Sequence, residues 1–161
     1  MSSDLTINAD TALGPPLIGA LMRMPLDAVL ARMLAGLHAA GFTDLVPAHF
    51  SVLRYPGPQG RRPSDLAAET GMTKQATNYL LGGLERLGYL IREEDPEDKR
   101  SKRISLTTRG EAAARNIRET VRQVETELEQ ELGAKDFARL RKLLVELNAT
   151  TFVRDFHRRD D

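Results

Sequence analysis

Two short stretches hold the side chains whose types and spacing could do chemistry. The first is TKQATNY, from Thr73 to Tyr79. Gln75 and Asn78 carry carboxamides that can donate to and accept from a base edge at the same time, while Thr73, Lys74 and Tyr79 can reach phosphates or bases. The second is REEDPEDKRSKRISLTTRG, from Arg92 to Gly110, with five carboxylates in its first seven positions and five cations in the next eleven. Lys99, Arg100, Lys102 and Arg103 suit the negative potential of a nucleic-acid backbone and minor groove.

Each set has a plainer reading. A Lys-Gln-Asn-Tyr group on an amphipathic helix is most often a solvated face, and alternate residues of any exposed strand point to solvent. The decision turns on the elements that carry them. Pro63 suits the first turn of a short helix, Gly71 can end it in a left-handed conformation, and Thr73 can cap the next helix with its side-chain oxygen. In that second helix Ala76, Thr77, Leu80, Leu81, Leu84 and Leu87 share the inward side. Lys74, Gln75, Asn78 and Tyr79 are then left on or near the outward face of its first two turns. Gly88 stops the helix before an extended run from Tyr89 to Glu93. Arg103 to Leu106 alternates polar and apolar residues and reads as a second strand, which makes Asp95 to Ser101 a hairpin loop with Asp95 and Pro96 as turn formers. Helix, tight turn, helix and basic hairpin is the arrangement that places a helix in the DNA major groove with a wing beside it.

The flanks are helical. From Leu13 apolar residues keep helical spacing to Gly41, with a kink or break expected at Pro25. Another helix starts near Pro47 and ends before the turn-rich YPGPQG. Thr107 can cap a long helix to about Leu132, in which Ile117, Val121, Val124, Leu128 and Leu132 keep near-heptad spacing. A final helix uses Phe137, Leu140, Leu143, Leu144 and Leu147.

Composition narrows the function classes. Lys plus Arg and Asp plus Glu both number 23 in 161 residues, so polyanion binding must come from local patches and not from bulk charge. The chain has no cysteine, which removes disulfides, thiolate nucleophiles and cysteine metal sites. His38, His49 and His157 lack compact metal-ligand spacing, so neither a metal nor another cofactor is expected. No apolar run is long enough to span a membrane and MSSDLTINAD lacks the regions of a signal peptide, so a soluble cytoplasmic protein is expected. There is no nucleophile elbow and no phosphate-cradling glycine loop, and an enzyme is not expected.

The stretch from Asp65 to Gly110 resembles the MarR-type winged helix-turn-helix transcriptional regulators without a gap. DPEDKRSKRISLTTRG carries the resemblance most specifically, being similar to the family pattern Asp-Pro-x-Asp-(Arg or Lys)-Arg, then a strand, then Leu-Thr-x-x-Gly. The resemblance implies a mainly α fold with a small β-hairpin wing, flanked by N- and C-terminal dimerisation helices. It divides the chain into a flexible N-terminus (1–12), an N-terminal dimerisation helix region (13–45), the winged helix-turn-helix domain (46–110), C-terminal dimerisation helices (111–155) and a tail (156–161). It further implies that Arg100 is the wing-tip arginine of the minor groove, that Asp98 holds its guanidinium, and that a homodimer binds double-stranded DNA at a pseudo-palindromic operator. His38, Phe42, His49, Phe50, Arg54 and Tyr55 lie where the family often forms an effector pocket, so a small aromatic or phenolic ligand that releases a repressor is expected. The competing expectation is a winged helix that binds other proteins and has no specific DNA site.

Overall fold

The computed structural model describes residues 16–53, 56, 60–96 and 98–158, with backbone alone at 154 and 156–158. The expected flexible N-terminus (1–12), Arg54, Tyr55, Glu97 and the His157 side chain lie outside the described residues.

Helix α1 spans Ile18–Ala39. It runs unbroken through Pro25, so of the expected kink or break the break does not occur. Proline leaves one carbonyl of the preceding turn without its amide partner. Here that turn is exposed, with Leu21 43% accessible, so water can take the bond. Past Gly41 (φ 90) the chain closes with Gly41 N donating to His38 O at 3.0 Å and Phe42 N to Leu37 O at 2.9 Å. These two bonds satisfy the last carbonyls of the helix.

A 3-10 turn at Pro47–His49 leads into the four-residue α2, Phe50–Leu53. Helix α3 spans Pro63–Thr70, Gly71 takes the left-handed conformation at φ 66, and α4 follows at Lys74–Arg86. The Thr73 hydroxyl accepts from the Ala76 amide at 3.1 Å, as a helix N-cap should. Strands β1 (Leu90–Glu94) and β2 (Lys102–Leu106) pair antiparallel with Leu90 opposite Leu106. Helix α5 spans Thr108–Leu132 and α6 Ala134–Asn148. Where one final helix is expected there are two. Helix α7, Thr151–Arg158, follows a turn in which Thr150 Oγ1 donates to Leu147 O at 2.7 Å, and it takes in residues 156–158 of the predicted tail.

One core joins these parts. Met33 and Leu37 of α1 and Ile117 of α5 pack in the same buried cluster as Leu66, Leu81, Leu84 and Ile104 of the helix pair and hairpin. Each fully buried leucine or isoleucine contributes about 1.5–3 kcal/mol. The heptad-like stripe of α5 is partly consumed inside the chain. Ile117 and Val124 are buried, Val121 and Leu128 half-buried, and Leu132 is exposed. Gly36 lets α1 approach α5 closely, since a Cβ there would sit 2.6 Å from Thr120 Oγ1.

Candidate nucleic-acid interface

Helix α4 separates its faces cleanly. Thr77, Leu81 and Leu84 are buried, while Lys74, Gln75, Asn78 and Tyr79 are exposed, Tyr79 to 76%. An aromatic ring so open on the first turns of a helix is available for contact. Asn78 Nδ2 donates to Lys74 O at 3.0 Å, a bond it must release or share to grip a base with both ends of its carboxamide. Gly82 and Gly83 are not forced by crowding within the chain. A Cβ at Gly82 would come no nearer than 3.6 Å to Arg86 Nη1, and at Gly83 no nearer than 3.8 Å to His49 Nε2.

In the wing, Lys99, Arg100 and Lys102 are exposed. Arg103 is different. Its Nη2 lies 3.4 Å from Asp95 Oδ1, and Arg62 Nε donates to Asp95 Oδ2 at 2.6 Å. The Asp95 carboxylate is fully buried between them. The hydrogen bond from Arg62 to Asp95, followed by their charge attraction, raises the guanidinium pKa above its ordinary value. Arg103 therefore serves the base of the hairpin, a structural role beside the DNA contact expected of it. Asp98 Oδ1 accepts from the Arg100 backbone amide at 3.1 Å, so it fixes the chain beneath Arg100. In register, Glu93 stands opposite Arg103 and Glu94 opposite Lys102.

The hairpin is held to the flanking helices by a polar junction. Tyr89 is buried, and its hydroxyl donates to Asp44 Oδ1 at 2.5 Å. Arg109 lies over the Tyr89 ring at 4.5 Å and donates to Asp44 Oδ2 at 2.8 Å. Burial and the bond to Asp44 push the Tyr89 phenol up to about 12. For Asp44, burial acts to raise the pKa, but the bonds from Tyr89, its own backbone and Arg109 outweigh it and the carboxyl ends below its ordinary value. Thr107 is used twice, capping α5 by accepting from Gly110 N at 3.1 Å and donating to Gly88 O at 2.6 Å.

Of the residues expected to line an effector pocket, His38, Phe42, His49 and Phe50 are described. Phe50 is buried in the core, and the half-buried Phe42 ring sits 6.2 Å from that of Tyr89. His38 Nε2 lies 3.3 Å from Leu45 O, and His49 Nδ1 accepts from Val46 N at 3.2 Å. Burial lowers the His49 pKa against the opposing pull of Asp44. An open groove of about 530 Å³ lies elsewhere, lined by Ala48, Met72, Thr73, Gln75, Ala76, Tyr79 and Leu80. It shares Thr73, Gln75 and Tyr79 with the candidate DNA face. Among the described residues no group of three or more His, Cys, Asp or Glu is placed to hold a metal, and no helix is long and apolar enough to cross a membrane.

Sequence reasoning missed Arg62 and Asp44 and took Asp95 for a turn former only. An arginine directly before a helix-opening proline, together with an acid at the foot of a hairpin, was the available signal, but it pairs residues 33 apart.

Comparison with known proteins agrees with this geometry. Residues 43–101 match the model of the MarR family. Over 50 residues the chain is 44% identical to the HTH-type transcriptional repressor YetL of Bacillus subtilis (strain 168), a match covering 31% of this chain and 30% of that protein's length. Among solved structures, the transcriptional repressor CouR bound to a 23-mer DNA duplex superposes with a TM-score of 0.65 at 26% identity, over 81% of this chain and 92% of that one. CouR from Rhodococcus jostii RHA1 bound to p-coumaroyl-CoA gives 0.66 at 25%, over 84% and 94%. Wild-type MarR from E. coli in its apo form gives 0.64 at 25%, over 82% and 97%. The fold is that of these transcriptional regulators. Residues 43–101, which hold the α3–α4 pair with the first strand and turn of the hairpin, thus resemble the MarR family of winged helix-turn-helix transcriptional regulators, and the fold of most of the chain is that of CouR and MarR.

Proposed function

We propose that this chain acts as a homodimeric repressor that reads a pseudo-palindromic operator and is released by a small aromatic ligand. The observation that carries it is the exposed Lys74, Gln75, Asn78 and Tyr79 face of α4, followed without interruption by a hairpin whose turn presents Lys99 and Arg100. Gln75 and Asn78 take the base edges, Lys74 and Tyr79 the backbone, and Arg100 the minor groove.

A second copy is supported by apolar surface at both ends of the chain. Ile18, Leu21, Met22 and Leu26 of α1 and Leu140, Leu143, Leu144 and Val145 of α6 are all exposed within one protomer. Unburied apolar residues at that density mark an interface. Two recognition helices must then match half-sites about 34 Å apart, and a ligand that alters this spacing lowers affinity. Repression is supported by the name of the YetL relative, and an aromatic effector by the ligand in the CouR structure.

Selection of genomic fragments by the purified protein, followed by anisotropy titration and sedimentation, tests the reading. The expected result is a dimer bound to fragments that share an inverted repeat. A dimer that binds every duplex equally, or none, overturns it and leaves the protein-interaction alternative.

A further inference from the structure

We infer that Asp95 is a positioning residue for DNA recognition, a buried anchor that fixes the wing against the start of α3; this rests on the reading of α4 and the wing as the DNA interface. Its carboxylate is 0% exposed and meets Arg62 at 2.6 Å and Arg103 at 3.4 Å. Its backbone closes the foot of the loop, with Asp95 N donating to Ser101 O at 3.1 Å and Asp98 N donating to Asp95 O at 3.2 Å.

Arg62 is the residue immediately before α3, and the chain leading to it is laced to β2. Arg61 N donates to Ile104 O at 2.9 Å and Ile104 N to Arg61 O at 2.7 Å. At Gly60 (φ 68) the approach is so close that a Cβ would lie 2.8 Å from Ile104 O. A buried carboxylate resists losing a partner, because an oxygen stripped of its guanidinium hydrogen bond is left unsatisfied away from water. Swinging the hairpin away from α3 would do that. The wing is therefore tied to the α3–α4 pair as one body, and Arg100 is carried at a set distance from Gln75 and Asn78. Without the anchor the wing must be ordered at the moment of binding, which lowers affinity through entropy and leaves the other contacts as they are.

The test uses Asp95→Asn, which keeps shape and removes charge, with Arg62→Lys as a milder second variant that keeps charge and loses the Nε donor. Both are measured at a temperature where far-UV circular dichroism and α5 amide exchange match wild type. On an operator that the wild type binds, Asp95→Asn is expected to lower affinity tenfold or more and to flatten the salt dependence toward that of Arg100→Ala. The double variant Asp95→Asn/Arg100→Ala should bind within about twofold of Arg100→Ala alone, since the anchor acts through that arginine. In the free protein, the amides of Arg61, Asp98, Ser101 and Ile104 should exchange at least tenfold faster in Asp95→Asn. Faster exchange with unchanged affinity and salt slope overturns the positioning role, as do additive losses in the double variant. Wild-type protein that selects no operator overturns the interface reading itself, a different result from an Asp95 variant that binds a known operator as wild type does.

Discussion

Gly110 and Tyr89 are in backbone contact so close that a Cβ on Gly110 would lie 2.0 Å from the Tyr89 carbonyl oxygen. That oxygen also accepts from Thr107 N at 3.0 Å, so it cannot retreat without breaking the joint between β1 and α5. The glycine that closes the Leu-Thr-x-x-Gly pattern is thus required by contact. Its helical position would otherwise favour alanine. Gly110→Ala is expected to cost about 3 kcal/mol or more by overpacking. The Tm should fall by roughly 6–12 °C, measured by calorimetry. An unchanged Tm would show that the joint gives.

Thr77 offers the opposite sign. Its hydroxyl is fully buried on the inward face of α4, with no hydrogen-bond partner among the described residues. Thr77→Val keeps the branched shape and removes an unsatisfied polar group, so stability should rise by about 1 kcal/mol. Urea titration of the two proteins checks it, and a loss of stability would mean the hydroxyl is satisfied.

The interface residues should separate by kind. Arg100→Ala is expected to weaken operator binding and to lower the salt slope by about 0.9, the share of one phosphate contact. Gln75→Ala should cost about 1–3 kcal/mol at one base position and relax preference there, with the slope intact. Anisotropy titrations across a salt series and a panel of single-base operator variants measure both. Equal effects of the two changes on slope would collapse the distinction.

The junction gives a pH signature. Tyr89 is pushed from its ordinary 10.0 up to about 12, so the folded chain holds a proton that the unfolded chain has lost between those values. Its contribution to stability is complete below about pH 10 and disappears as pH rises toward about 12. Asp44 acts at the other end. Its pKa is lowered on folding, so its contribution is present above the ordinary carboxylate range of about 4 and is lost as pH falls through the lowered value. In denaturant titrations at pH 8 and pH 11, wild type should lose more stability than Tyr89→Phe. Equal losses would remove Tyr89 from the alkaline limb.

Much of the helix-turn-helix and wing was legible because its signals are local. Pro63 opens α3, Gly71 closes it, Thr73 and Thr107 cap the helices after them, and Gly88 (φ 77) turns the chain into β1. Each works within about four residues. Illegible features were long-range or set by exposure. Asp95 finds Arg62 only after the hairpin has folded back on α3, and Asp44 meets Tyr89 across 45 positions. Pro25 suggested a break because a sequence pattern does not say that its turn faces water. The bond from the Arg100 backbone amide to Asp98 was equally unannounced, although a short loop brings a carboxylate to the nearest amide.

Across the hairpin, Glu93 stands opposite Arg103 and Glu94 opposite Lys102 in register, so acids and bases balance along the stem while the tip keeps Lys99 and Arg100 exposed. On the proposed reading the consequence is kinetic. A wing whose stem is neutral touches random duplex at a point and has no long basic surface along which to slide. Residence on wrong sequence is short, and the genome is searched by repeated release and recapture more than by tracking one stretch.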